Sequence, residues 1–150
     1  MKRMAHGLVC AVFAVGGLAA APGAQATGTG TDGCTPGYWK NHTSNWEEAS
    51  TTKKVRSAFD VGSFTAVGNM TFLQALQGGG GSGTAGAAKI LARAAVAAWL
   101  NAAHDDLGYT LTRAQITRMV NAAFASGSRA EMLRVAAHLD GLNNSDCPLN

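Results

Sequence analysis

The sequence predicts an all-α fold: a small irregular helical bundle with one long central helix, closed by a single disulfide between its N- and C-terminal ends. Three observations predict it. Apolar residues in the second half recur at helical spacing, and no stretch sustains the alternation of a half-buried strand. Ser or Thr three residues before Glu or Gln recurs ahead of apolar runs, which is the spacing of a helix-opening capping box. Cys34 and Cys147 bracket nearly every residue able to join a core.

The chain divides into three parts. Residues 1–26 read as a secretory signal peptide. Lys2 and Arg3 start it, an apolar run follows at 8–21, and Ala24-Gln25-Ala26 supplies a small-x-small cleavage site. The expected localisation is therefore secreted, with cleavage near Ala26. The apolar run falls short of the roughly 20 residues a membrane span needs, so no span is expected in the mature chain. Cys10 precedes most of that run, which is the wrong place for a lipoprotein cysteine. Residues 27–33 are rich in Gly and Thr and read as a flexible leader. Residues 34–150 form the disulfide-closed helical domain.

Export changes the charge and settles the cysteine chemistry. Without Lys2 and Arg3, twelve basic residues become ten against nine acids, and the formal charge falls from +3 to +1. No basic patch argues for nucleic acid. With Cys10 removed, Cys34 and Cys147 read as one disulfide in an oxidising compartment. The closed loop exceeds a hundred residues, and the chain-entropy model gives it roughly 4–5 kcal/mol. That is a large share of the usual 5–15 kcal/mol of a domain.

The elements follow in order. Pro36-Gly37 makes a turn, and residues 38–42 form one helical turn with Tyr38 and His42 on the same side. Ser44-x-x-Glu47 predicts a second short helix. Val55 and Phe59 anchor another helical piece, and 60–68 is irregular around Phe64 and Val67. Thr71-x-x-Gln74 opens a two-turn helix that buries Phe72, Leu73 and Leu76. Four glycines at 78–81 then form either a mobile loop or a close backbone crossing. They lack the Gly-Lys-Ser/Thr ending of a phosphate loop.

Residues 85–103 form the longest helix. Lys89, Arg93, Asn101 and His104 fall on one narrow polar stripe, and apolar residues, many of them alanine, fill the rest, so this helix should be central. Leu111-Thr112-x-x-Gln115-Ile116 combines a capping box with a hydrophobic staple. It opens a helix whose stripe is Ile116, Met119, Val120, Ala123 and Phe124. Gly127 stops that helix, and Ser128-x-x-Glu131 opens the last one, which buries Met132, Val135, Ala136 and Leu139. Asn143, Asn144 and Pro148 end the structure.

The densest chemistry lies in Cys34-Thr-Pro-Gly-Tyr-Trp-Lys-Asn-His42. Tyr38, Trp39, Lys40, Asn41 and His42, with nearby Trp46, form a possible recognition surface. Exposed, the aromatic rings would stack on sugars or grip a protein. Buried beside the disulfide, the expected fate, they would anchor the N-terminal segment. His42, His104 and His138 are candidate metal ligands by residue type, but no H-E-x-x-H or H-x-H spacing supports a site, and no cofactor is expected. His104 has a simpler role as a cation at a helix C-terminus. The acids match no calcium loop, and no serine sits in a G-x-S-x-G context. Asn41, Asn69 and Asn143 begin glycosylation sequons.

The nonapeptide 34–42 resembles the opening signature of a recurrent module of secreted and surface-displayed, mostly bacterial, proteins. Further stretches are similar too: Phe72-Leu73-Gln74-Ala75-Leu76, the glycine-rich loop, the alanine-rich helix from Leu91 to Ala103, and the ending Cys147-Pro148-Leu149. The resemblance implies export and a compact module without an established activity. It also implies a frequent histidine where Ala94 stands here. The sequence therefore points first to a secreted, non-catalytic structural or interaction module whose partner is an extracellular protein or glycan. The alternatives are carbohydrate or cell-wall binding through Tyr38, Trp39 and Trp46, and a small metal-dependent enzyme using His42 with His104 or His138.

Overall fold

The computed structural model describes residues 30–149. The expected signal peptide and most of the leader lie outside the described residues. Among the described residues the protein is all-helical, without strands, and contains six α-helices. They are α1 (Pro36–Asn41), α2 (Thr65–Gly68), α3 (Phe72–Gln77), α4 (Gly83–Asn101), α5 (Arg113–Ala125) and α6 (Arg129–Asn143). Short 3-10 turns at Thr43–Asn45 and Val55–Ser57 complete the set. None of these helices is long and apolar enough to cross a membrane.

The helix starts obey local chemistry. Thr35 caps α1 by accepting from the Tyr38 N–H at 3.0 Å, and Pro36 occupies the first turn, where no intrahelical donor is needed. Thr71 with Gln74, and Thr112 with Gln115, form complete capping boxes at α3 and α5. Ser128 caps α6 directly after Gly127, whose φ of +60° turns the chain out of α5.

The Ser44-x-x-Glu47 spacing does not open a helix. Ser44 instead contacts Asn45, Trp46 is extended, and Glu48 has a φ of +54°, which no helix tolerates. Glu47 is drawn away to the loop after α4, where it accepts from the Asp105 N–H at 2.7 Å.

The core is built on α4. Its 19 residues span about 28 Å, and thirteen of them are buried. Alanines at 87, 88, 92, 95, 97 and 98 are fully buried, so the neighbouring helices approach its backbone closely. Its most extensive partner is α6. The two run in the same direction: Arg129, at the start of α6, donates to the Gly83 carbonyl at 2.6 Å, while Asn143, at its end, meets Asn101. α5 returns between them along the chain. The glycine loop is a close crossing, since a Cβ on Gly86 would lie 2.0 Å from the Gly81 carbonyl oxygen.

Both ends of the described segment join the body at the C-terminal end of α4. Cys34 and Cys147 form the predicted disulfide, with Cα atoms 4.8 Å apart. Residues 30–33, expected as the end of a flexible leader, are fastened instead. Gly33 donates to the Asp146 carbonyl at 2.9 Å, Thr110 to the Gly30 carbonyl at 2.7 Å, and Gly108 to the Asp32 carboxylate at 2.9 Å. Gly30 and Gly33 allow these backbones to touch, because a side chain at either would strike a carbonyl.

Candidate functional site

The signature stretch is turned inward, and a side chain from α4 holds it. Asn101 is fully buried and makes all four hydrogen bonds its amide allows. Its Oδ1 accepts from the Cys34 N–H and the Trp39 indole N–H, each at 2.9 Å. Its Nδ2 donates to the Cys34 carbonyl and to Asn143 Oδ1, each again at 2.9 Å. Asn143, also fully buried, accepts from the Tyr109 hydroxyl at 2.8 Å and donates to the Ala94 carbonyl at 3.0 Å. One amide pair thus links the signature, α4, α6 and the loop between α4 and α5. Burial pushes the Tyr109 phenol far above the ordinary tyrosine range, offset in part by the Asn101 amide, so it stays a donor.

These contacts fix the settings of three residues that the sequence singled out. Asn101 does not lie on an exposed polar stripe. The stripe begins in solvent at Lys89 and Arg93 and passes beneath the signature segment, which covers Asn101 and most of His104. Trp39 is 0 % exposed and takes no part in a recognition surface. The sequon asparagine Asn143 holds its side-chain nitrogen inside the core, whereas Asn41 and Asn69 are exposed.

The rest of the expected surface divides. Lys40, Asn41 and His42 are exposed at the end of α1. His42 stacks on Tyr38 at 4.2 Å between ring centres, and its Nδ1 contacts the Tyr38 carbonyl at 2.9 Å. The half-buried Tyr38 hydroxyl accepts from Asn45 Nδ2 at 2.7 Å. Trp46, also half-buried, donates its indole N–H to the Trp39 carbonyl at 2.9 Å.

Beyond Trp46 the surface opens into a polar groove of about 440 Å³. Trp46 and Glu47 line one part, His104 and Asp106 another, and Pro148 and Leu149 of the C-terminal tail a third. His104 Nδ1 accepts from the Asp106 N–H at 3.2 Å, which leaves the ring proton on Nε2. Nε2 lies 3.8 Å from Glu47 Oε1, too far for a hydrogen bond. Asp106 entered the sequence reading only among acids that match no calcium loop, and Glu47 did not stand out as a site residue. Glu47 was legible only as a helix-capping residue, and nothing local pairs it with His104, 57 residues on.

The three histidines occupy separate settings: His42 at the end of α1, His104 in the groove, and His138 on the exposed side of α6. Among the described residues, no group of three His, Cys, Asp or Glu side chains is placed to hold a metal ion. A second groove, of about 370 Å³, runs between the glycine loop, α4 and α6, with Ile90, Ala94 and Leu133 as apolar lining and Arg93 and Asp140 as charged lining. None of the sequence-predicted site residues reaches it.

No protein-family model, no curated protein and no solved structure matches the chain.

Proposed function

We propose that the chain is an exported, non-catalytic interaction module, a member of the secreted signature family it resembles. Its nonapeptide organises the fold, and the surface beside it meets an extracellular protein or glycan. One observation supports this reading above the others. The signature's most distinctive groups, Cys34 and Trp39, are consumed by internal bonds to Cys147 and Asn101, and none is left poised for reaction. A fold this closely tied at both ends suits an oxidising exterior without chaperones. The enzyme reading would need histidines brought together, and they stand apart.

Expression behind the chain's own N-terminal segment tests the proposal. The culture medium should contain a product starting near Thr27 that titrates no free thiol and turns over no ester, glycoside or peptide substrate. A product kept inside the cell with two titratable thiols overturns export. Turnover abolished by His104→Ala overturns the non-catalytic role.

A further inference from the structure

We propose that the groove formed by Trp46, Glu47, His104 and Asp106 is a saccharide site, in which one sugar hydroxyl bridges His104 and Glu47. This rests on the reading of the chain as an exported interaction module and names the class of ligand it meets.

The argument starts from an incomplete pair. The His104 side chain is only 7 % exposed, but its Nε2–H is not among the fully buried atoms and finds no acceptor within the protein, so it is open to a guest from the groove. Glu47 Oε1 is 3.8 Å away. An oxygen atom set about 2 Å to one side of the line joining them lies about 2.8 Å from each, an ordinary hydrogen-bond length. Both partners are held in place beforehand. Glu47 Oε2 is fixed by the Asp105 N–H at 2.7 Å, and His104 Nδ1 by the Asp106 N–H at 3.2 Å. Preorganisation of this kind lowers the entropy cost of binding.

The bridging atom must accept from an N–H and donate to a carboxylate at once. A hydroxyl does both. An ammonium group has no lone pair for the imidazole N–H. A carboxylate has no proton for Glu47, and a carboxylate or phosphate alike is repelled by the charges of Glu47 and Asp106. Around the pair, the groove offers what a sugar ring uses. Asp106 is exposed and makes no side-chain salt bridge, so it accepts further hydroxyls. Trp46 supplies aromatic surface for the ring's C–H face, its orientation set by the bond to the Trp39 carbonyl. The volume of about 440 Å³ lies in the range of small-molecule sites.

The test titrates the purified, disulfide-closed chain with soluble oligosaccharides of glucose, mannose and N-acetylglucosamine. Tryptophan fluorescence and calorimetry report binding, and tetramethylammonium chloride serves as the cation control. At least one sugar should saturate at millimolar concentration or below, and tetramethylammonium should neither bind nor compete. His104→Asn keeps an acceptor for the Asp106 N–H but removes Nε2, and should weaken binding about tenfold. Lys89→Ala, near the start of α4, should leave binding unchanged. Absence of saturation by every sugar, equal affinity in His104→Asn, or competition by tetramethylammonium each overturns the site. So does a crystal grown with the sugars that holds only a water between His104 and Glu47. A chain exported with its disulfide closed but blind to sugar overturns this site alone. A chain retained with free thiols overturns the reading beneath it.

Discussion

Trp39 and Trp46 lie seven residues apart, and each has its indole N–H satisfied at 2.9 Å, yet their surroundings differ in kind. Trp39 belongs to a closed network. Cys34, Asn101, Tyr109 and Asn143 exchange donors and acceptors until, among the described residues, no buried side-chain nitrogen or oxygen lacks a partner. Trp46 borders an open one, where His104 and Glu47 face each other across a gap that neither fills. A saturated buried network specifies one packing and admits no ligand. An unsaturated pair at a groove wall costs some stability and leaves directional capacity for a guest. The same short segment therefore supplies both a fastening and, through the residues just after it, an opening.

The largest expected effect breaks the closed side. Asn101→Ala removes four hydrogen bonds and orphans the Cys34 backbone and the Trp39 indole inside the core. At about 1–3 kcal/mol for each stranded group, the loss should exceed about 4 kcal/mol in urea denaturation. Next comes the covalent link. Cys34→Ala combined with Cys147→Ala should cost about 2–5 kcal/mol while keeping the helical circular dichroism, because the amides still join the chain ends. If the cysteine variant unfolds outright and Asn101→Ala folds, the ranking of the two fastenings is reversed.

Tyr109→Phe should cost about 1 kcal/mol, since Asn143 Oδ1 keeps its bond to Asn101. It also carries a pH signature. The folded phenol holds its proton more tightly than the unfolded chain does, so its contribution is complete below about pH 10 and is lost as pH rises above that value. Unfolding curves between neutral and strongly alkaline pH should show that decline in the wild type and a shallower one in Tyr109→Phe. The smallest effect belongs to the open side. His104→Asn should change stability by less than about 1 kcal/mol, because the bond to the Asp106 N–H survives. A loss as large as that of Asn101→Ala would show that the groove is a second fastening.

Much of the fold was legible in short windows. The capping boxes at Thr71 and Thr112 and the Gly127 stop are contacts between residues a few positions apart, so sequence spacing carries them, whereas Pro36-Gly37, expected as a turn ahead of the helix, is the first turn of α1 itself. The Ser44 box had the same spacing and failed, because Glu47 found a stronger use 58 residues away at the Asp105 N–H. The burial of Asn101 was not legible for a related reason. Helical period gives the angle of a residue on its own helix, and nothing in that angle says which segment will lie over it.

The chain's own order of residues determined the helical class, the long alanine-rich helix at its centre and the pairing of Cys34 with Cys147, since composition, period and cysteine count are properties of the chain itself. Only the tertiary structure decided that Asn101 and Asn143 are interior, that Trp39 faces inward while Trp46 borders a groove, and that Glu47 confronts His104. Each of those facts depends on residues from distant parts of the chain meeting in space, where burial makes a polar group either partnered or costly.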